Sequence, residues 1–540
     1  MPEWRFAPIA RNVSRADYLS MDTTPYWFAS VPLPGFPPLV RDVSVDAIVI
    51  GGGLTGITAA YLFKRAGMSV ALLERGRCAE GDTGHTSAHL TAVTDMRLHT
   101  LISDFGEAAA RTVWDAGMSA VALIADVVAR ENIKCDFSLQ NGYLHAPARS
   151  DDGALAGAVS ELQLEAEAAK QLGIPVESVG RVPLFATPGI RFSGQAKFHP
   201  RKYLAALLSK IRGDGSCIFE NTNADTVSTD PLTVTAGDFT VRGRFLVIAT
   251  HTPLRGSASG AGALLFQSKL SHYTSYAIRG RFRRENIPDG IFWDTDDPYG
   301  YLRIDDAGDP QTACAIYGGQ DHKTGQVSST EARYHALERR LSSLMPAGEI
   351  THRWSGQVVE TIDGLPYIGP VDKEQFVATG FGGNGMTFGT LAATMALDAA
   401  QGRENRWSKL FDIHRKKLIG DAWTYFSENK DYPLHLIHDW FSKGDQGSFN
   451  SLPRENGRVF QMGRRRVAAY RAQDGTLTVC SAVCPHMGCT VRWNEAEKTW
   501  DCPCLGSRFR ATGEVLAGPA EESLEPLAAS SVEAPSSESR

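Results

Sequence analysis

No stretch of the chain approaches the roughly eighteen consecutive apolar residues that cross a bilayer, so no membrane span is expected. The opening residues, Met1-Pro2-Glu3-Trp4-Arg5-Phe6, lack the apolar core of a secretion signal, and the expected location is cytoplasmic. Positive charge is not in excess: 55 Lys and Arg face 61 Asp and Glu, a formal charge of -6. There is no basic stripe studded with aromatics, which argues against a nucleic-acid partner. Cysteine is thin over most of the length, with Cys78, Cys135, Cys217 and Cys314 scattered. The other five of the nine, Cys480, Cys484, Cys489, Cys502 and Cys504, crowd into 25 residues. Without an export signal, such crowding points to metal chemistry more than to a disulfide scaffold. What remains is ordinary globular composition, 43% hydrophobic and 21% charged, in a chain of 540 residues. That is length for about three to four domain equivalents.

The stretch Val45 to Gly56 organises the rest. Ala47-Ile48-Val49-Ile50 reads as a buried parallel strand, and Ala59, Leu62, Phe63 and Ala66 recur at helical spacing after it. Between them stands Gly51-Gly52-Gly53-Leu54-Thr55-Gly56. Gly51 permits the tight turn, Gly53 lets backbone approach a pyrophosphate, and Gly56 lets helix and strand pack closely, so the helix N-terminus faces phosphates. Gly67 closes the helix, Ser69 to Leu73 forms a second strand, and Glu74 stands where an acid takes ribose hydroxyls. Strand, helix, closing glycine and acid agree on a dinucleotide site.

Residues 1–44, rich in Pro and aromatics, read as an extended arm. Gly81 to His89 offers small and hydroxylated residues, Thr86 and Ser87 among them, as further phosphate donors. His85 and His89 lie within reach of a cofactor there, although a backbone partner is the simpler reading of a loop histidine. Leu98 to Ile133 and Leu155 to Leu172 are helical in pattern. Gly194 to Leu208 reads as strand, then a helix opened by Pro200, with His199 at the junction as a candidate pocket residue, a plain turn histidine being the simpler reading. Phe245 to Thr250 is a strand whose small end, Ala249 and Thr250, suits a place against a cofactor. Tyr273 to Ile278, Tyr299 to Ile304 and Ala313 to Tyr317 alternate as antiparallel strands, with Gly318-Gly319 read as a turn. They form a second, mixed-sheet unit inserted into the first. Near the end of this region Phe376 to Thr379 runs into Gly380-Phe381-Gly382-Gly383-Asn384-Gly385-Met386 and an Ala-rich helix. That is a second place where amides approach a ligand. A cofactor gripped from both ends of the chain favours FAD over a nicotinamide.

The glycine fingerprint, the strand ending at Ala249-Thr250, the Asp363-Gly364-Leu365-Pro366 turn and the Gly380 to Met386 run resemble the D-amino-acid oxidase and glycine oxidase family of flavoproteins. The resemblance covers residues 45–405. It implies FAD-binding parts about 45–100, 190–255 and 355–405, and a substrate-side sheet about 270–350. It also implies hydride transfer from a carbon next to an amine to the flavin, with an amine or amino acid as the small-molecule substrate. Oxygen or an external electron carrier then takes the electrons. Tyr301, Arg303 and Arg279 are candidates for gripping a substrate carboxylate, with surface ion pairing explaining each as easily. A flavin hydroxylase is the competing enzyme class, disfavoured by the late Asp363 turn.

Residues 406–447 read as a helical connector and linker, in which Tyr432 to Phe441 is a packing helix carrying His435 and His438. Beyond it, Arg458 to Tyr470 and Leu477 to Val483 alternate as strands of a small all-β domain, 448–528, before a disordered tail, 529–540. Arg464-Arg465-Arg466 is a short basic run on this domain. Cys484-Pro485-His486-Met487-Gly488-Cys489, Cys502-Pro503-Cys504-Leu505-Gly506-Ser507 and the downstream Gly518-Pro519-Ala520 resemble a Rieske ferredoxin domain. In that family each loop gives one Cys and one His to a 2Fe-2S cluster. The resemblance places Cys484, His486 and Cys502 at ligand positions and Cys489 with Cys504 at a disulfide pair. The fourth ligand position holds Leu505, which has no lone pair to give, so the ligand set is incomplete; Cys480 and Cys504 are the nearest substitutes. Phe509 likewise lacks the hydroxyl that some relatives bring to the cluster. The expected architecture is α/β and α+β: a Rossmann-like FAD domain, an inserted mixed sheet and the C-terminal β domain. In the alternative reading that domain is a cluster-free interaction module.

Overall fold

The computed structural model describes residues 23–148, 152–252, 269–284, 287–327, 329–346, 348–415, 449–463 and 465–528. The expected helix Tyr432 to Phe441 with its two histidines, the linker, Arg464 and the tail lie outside them.

The buried run Ala47–Ile50 is central to a six-stranded sheet. Phe245–His251 and Val70–Leu73 flank it in parallel, with Gln375–Thr379 and Cys217–Phe219 outside them. Tyr367–Pro370 closes one edge antiparallel. Such near-continuous Val, Ile and Leu strands are what a sheet covered on both faces requires. The helix Leu54–Arg65 follows the glycine turn and packs against the helices Pro200–Ile211 and Gly385–Ala400. Its approach depends on Gly56, where a Cβ would lie 1.9 Å from the Gly51 carbonyl.

The second sheet runs Glu349–Thr361, Leu270–Arg283, Thr312–Lys323, Tyr301–Asp306, Ile291–Asp294, Ser138–His145, Gly189–Lys197, His89–Leu90, with Val176–Val179 also on Gly189–Lys197. It is wider than the sequence suggests: Gly189–Lys197 belongs here, not with the FAD-binding part. Gly318-Gly319 is not a turn either. Both glycines lie within Thr312–Lys323, and a Cβ on Gly318 would fall 2.2 Å from the Tyr301 ring. Gly318 makes room for an aromatic side chain and Gly319 for the Tyr299 carbonyl, 2.6 Å from a hypothetical Cβ, rather than for a reversal of the chain.

The helix Glu107–Arg130 is long and apolar enough by composition to cross a membrane, yet it buries Val113, Trp114, Val121 and Ile124 in the main core. The described part of the N-terminal arm is not simply extended. Tyr26–Ser30 is a short helix whose Trp27 is buried and donates Nε1–H to the Thr86 carbonyl at 2.6 Å.

The C-terminal domain has a three-stranded sheet (Asn456–Met462, Arg465–Arg471, Leu477–Ser481) and a four-stranded one (Arg492–Asn494, Thr499–Asp501, Arg508–Arg510, Val515–Ala517). It docks through its second cysteine loop. Gln357 Nε2 donates to the Gly506 carbonyl at 2.7 Å and Gln326 Nε2 to the Pro503 carbonyl at 3.0 Å. Arg75 donates to the Leu516 carbonyl at 3.3 Å, and Tyr334 donates to Glu497.

Candidate functional sites

A cleft of about 410 Å³ opens where the parallel strands end. Gly51 has φ 107°, and a Cβ there would lie 2.4 Å from the Ala249 carbonyl, so strand end and neighbouring strand meet at backbone distance. Gly53 is the N-cap of the helix and carries no side chain between the N-terminal amides and the cleft. Glu74 accepts from the Gly52 amide at 2.6 Å and the Gly76 amide at 2.7 Å; burial nonetheless raises its pKa. Thr86, Ser87, Ala249, Gly382, Gly383, Gly385 and Met386 also line the cleft, as their sequence pattern suggests. Gly383 has φ 74°, and a Cβ there would lie 2.7 Å from Asp95. Gly56 and Gly380 do not line it: Gly56 packs the helix against the Gly51 carbonyl, and Gly380, at φ 71°, packs against Thr361, 2.2 Å from a hypothetical Cβ, and serves the turn. Glycine-bounded backbone at both ends of the fold, a helix N-terminus and a terminal acid fit an extended dinucleotide.

The catalytic candidates fare differently. Tyr301 lines the cleft, its hydroxyl 3.0 Å from Ser275 Oγ, and burial pushes its phenol well up. Arg303 does not reach the cleft. It is 2% exposed, pairs with Asp305 at 2.8 Å, and donates to the carbonyls of Ser87, Ala88 and Phe198. Its guanidinium ties strands together away from the cleft, its carboxylate partner being Asp305. Arg279 is buried under the Tyr26 ring at 3.8 Å. His199 caps its helix, accepting from the Lys202 amide at 3.3 Å, and lies 3.0 Å from Ser30 Oγ beside Trp27. The N-terminal helix covers it, so it is a structural histidine.

Sequence reasoning missed the acids. Asp95 and Asp321 line the cleft with Tyr299, Tyr301 and Ser275. Asp95 is exposed along the cleft, yet desolvation by the surrounding walls pushes it up to about 6 despite the Tyr299 hydroxyl 3.0 Å away. Burial pushes Asp321 up to about 7, with the charge of Asp95 adding and a Ser275 hydrogen bond opposing. The Oδ1 atom of Asp321 is buried with no hydrogen-bond partner among the described residues. Asp82 behaves oppositely: burial works against its ionisation, but His251 at 2.7 Å prevails and holds it at about 2. Burial lowers His89 to about 4, keeping it neutral, and His85 Nδ1 lies 3.0 Å from the Gly81 carbonyl. No spacing in the chain links residue 95 to residue 321; the wide sheet brings them together.

In the C-terminal domain the two loops lie side by side, and Cys489 is bonded to Cys504 with 6.4 Å between Cα atoms. Cys484 and Cys502 are buried within mutual hydrogen-bonding reach. A hydrogen bond from Cys502, together with the amides of His486 and Met487, outweighs burial and lowers the Cys484 thiol, while the same bond and burial raise Cys502. The amides of Cys504 and Leu505 point at Cys502 in the same way. Amides aimed at paired sulfurs suit two thiolates. Ser507, unnoticed in the sequence, gives Cys484 a hydroxyl hydrogen bond while Phe509 is wholly buried. Cys504 is thus engaged in the bridge, and Cys480 points elsewhere, its Sγ 3.6 Å from the Thr512 carbonyl. Neither supplies a substitute for the side chain missing at Leu505.

Cleft and sheets define a flavoprotein fold with a small β domain of cysteine-loop type at its C-terminal end. The sequence profile of the family "FAD dependent oxidoreductase" matches residues 46–399, and that of the "Rieske [2Fe-2S] domain" matches residues 445–528. The chain belongs to the FAD-dependent oxidoreductase family of D-amino-acid-oxidase type and carries a Rieske domain. It is 34% identical over 509 residues, 93% of this chain and 97% of the other, to the putative Rieske 2Fe-2S iron-sulfur protein YhfW of Bacillus subtilis. Its fold matches a glycine oxidase from Geobacillus kaustophilus with a TM-score of 0.57 at 17% identity, over 70% of this chain and 100% of that one. The C-terminal domain is 37% identical over 73 residues to a cytochrome b6-f complex iron-sulfur subunit of Chlorobaculum thiosulfatiphilum, 14% of this chain and 40% of that one.

Proposed function

We propose that this oxidoreductase acts on a small amine or amino acid held by its nitrogen. The carrying observation is the pair Asp95 and Asp321 on the cleft wall, Asp95 open to the cleft and Asp321 half-buried, with the buried Oδ1 of Asp321 lacking any partner among the described residues. An ammonium group is the natural counterpart of such a carboxylate, since an unpaired buried charge is costly. Bound FAD supplies the hydride acceptor. Ionised Asp321 and Asp95 orient the amine and take up its proton, and Tyr299 and Tyr301 close the cleft beside them. Gly51, Gly53, Gly56 and Glu74, with Thr86, Ser87, Ala249, Gly382, Gly383, Gly385 and Met386, form the cofactor cradle in this reading. Electrons leave to oxygen or to an external carrier. In the Rieske domain Cys484, His486 and Cys502 are the cluster ligands within that domain, and Leu505 stands in place of the fourth.

Anaerobic mixing with a panel of primary and secondary amines and amino acids tests this: the flavin absorbance bleaches with one of them, and Asp321→Asn weakens the response. Reduction only by NADPH in the presence of phenols would replace the reading with a hydroxylase.

A further inference from the structure

The domain that lacks a donor at position 505 is pressed against a strand that carries one. On Leu270–Arg283, His272 meets the second cysteine loop at the residue after Leu505: a Cβ on Gly506 would lie 2.4 Å from His272 Cβ and 3.0 Å from its Cγ. Only glycine there lets the loop backbone touch the imidazole. The loop is held in this position by Gln357 on the Gly506 carbonyl, with Gln357 Nε2 also 3.3 Å from Thr324 Oγ1, and the Thr324 amide donating to the His272 carbonyl at 3.0 Å.

The ring itself is set up asymmetrically. His272 is 5% exposed, and its Nε2 lies 3.3 Å from Thr252 Oγ1, whereas its Nδ1 is buried with no hydrogen-bond partner among the described residues. Buried polar atoms are nearly always paired, so an orphan in a native fold calls for an unseen partner. With the proton on Nε2 directed at Thr252, the Nδ1 lone pair is available, the arrangement in which an outer hydrogen bond fixes the tautomer of a metal-binding histidine. His486, the imidazole of the first loop, is close enough for its charge to act on His272.

We propose that His272 of the flavoprotein domain supplies, through Nδ1, the fourth protein ligand of the cluster, in place of the imidazole absent at Leu505. This rests on the C-terminal domain being cluster-bearing. Two thiolates, Cys484 and Cys502, then face two imidazoles, His486 and His272, one of them from across the domain boundary. Ligation transfers no electron: the Nδ1 lone pair forms the coordinate bond and the ring remains neutral. Two consequences follow. The cluster is pinned to the flavoprotein domain and cannot swing on its linker. And because Thr252 lines the cleft, one imidazole bridges the cleft wall and the cluster.

The test uses the full chain purified anaerobically, assayed for iron and flavin, with electron paramagnetic resonance after dithionite reduction. Wild type should carry about two irons per chain, and histidine labelled with nitrogen-15 should give two coupled imidazole nitrogens. His272→Phe should lose most of the iron while keeping flavin, and His272→Phe with Leu505→His should regain it. Equal iron in wild type and His272→Phe, or a single coupled imidazole in loaded wild type, overturns the proposal. So does iron-free wild type beside a loaded Leu505→His variant, a result that leaves the Rieske reading standing. Absence of iron from both overturns the proposal and that reading together. If His272→Phe also loses flavin, the count of coupled nitrogens in the unsubstituted protein decides.

Discussion

Gln357 donates its side-chain amide to the Gly506 carbonyl at 2.7 Å, while its own backbone N–H donates to Asp82 Oδ1 at 3.1 Å. A single residue therefore holds the second cysteine loop from one end and a cleft acid from the other. Gln357→Ala leaves the buried Gly506 carbonyl without its donor, a cost of about 1–3 kcal/mol. Thermal unfolding should shift down accordingly, while flavin content is unchanged because the backbone bond to Asp82 survives. An unaltered midpoint would mean the contact does not hold the domains together.

Gly53→Val should strip FAD without unfolding the chain. Gly53 has φ -83° and ψ -171°, which valine adopts freely, and only Thr83 Oγ1 at 3.1 Å approaches a Cβ there. The new side chain is accommodated by the protein but stands where backbone must meet the pyrophosphate. The flavin-to-protein ratio should fall close to zero with the far-ultraviolet dichroism intact; full flavin retention would refute the cradle.

The acids give a pH dependence of defined sign. Asp95 and Asp321, raised to about 6 and about 7, titrate as an interacting pair and must be ionised to hold an ammonium. Below that range kcat/KM for an amine should fall about tenfold for each pH unit per proton gained. For stability the sign is reversed. The folded state keeps protons that the unfolded chain releases at lower pH, so the stability of the ligand-free protein falls as pH rises from the unfolded value of Asp321 to about 7. Asp321→Asn should remove that decline, raising the unfolding temperature more at pH 8 than at pH 5. An equal gain at both would show that Asp321 does not titrate there.

The parts of the fold legible in sequence were those written locally. The strand, turn and helix from Ala47 to Arg65, the acid Glu74 and the paired cysteine loops each occupy one short stretch whose spacing carries the chemistry. The misread parts depend on contacts between distant stretches. Gly318 looks like a turn until the Tyr301 ring is laid against it. Arg303 looks like a carboxylate clamp until three backbone carbonyls and Asp305 are found to occupy it. For His199 the plain turn reading holds: it caps its own helix, and the helix Tyr26–Ser30 covers it. The acids Asp95 and Asp321 and the orphan nitrogen of His272 gave no local signal at all.

Arg415 shows how the second cofactor-side turn is secured. Its guanidinium meets Asp363 at 2.7 Å through both Nε and Nη2, donates to the Pro366 carbonyl at 2.7 Å, and lies 4.1 Å over the Tyr367 ring. Burial opposes ionisation of Asp363, but Arg415 prevails and its pKa is lowered. Removing one member of a buried pair strands the other, so Arg415→Ala should cost about 3–5 kcal/mol, and Arg415→Met with Asp363→Asn much less. Because the Asp363 pKa is depressed in the fold, its stabilisation is present above the unfolded value and is lost as pH falls through the folded one. Wild type should therefore lose this increment in acid, and denaturant titrations of Arg415→Ala should show a smaller loss.

The Cys489–Cys504 bridge spans a sequence separation of 15 and ties the two cysteine loops to each other. Closing a loop of that size is worth about 3 kcal/mol in the chain-entropy account. A cluster held by Cys484 and His486 from one loop and Cys502 from the other crosses the same gap, so bridge and cluster restrain the same freedom. Their contributions should then be less than additive. Replacing Cys489 and Cys504 together by alanine should lower the unfolding midpoint substantially in protein stripped of iron by a chelator, and by less in iron-loaded protein. Alanine leaves no thiol to recruit metal in place of the bridge. If the double substitution costs the same with and without iron, no cluster joins the loops.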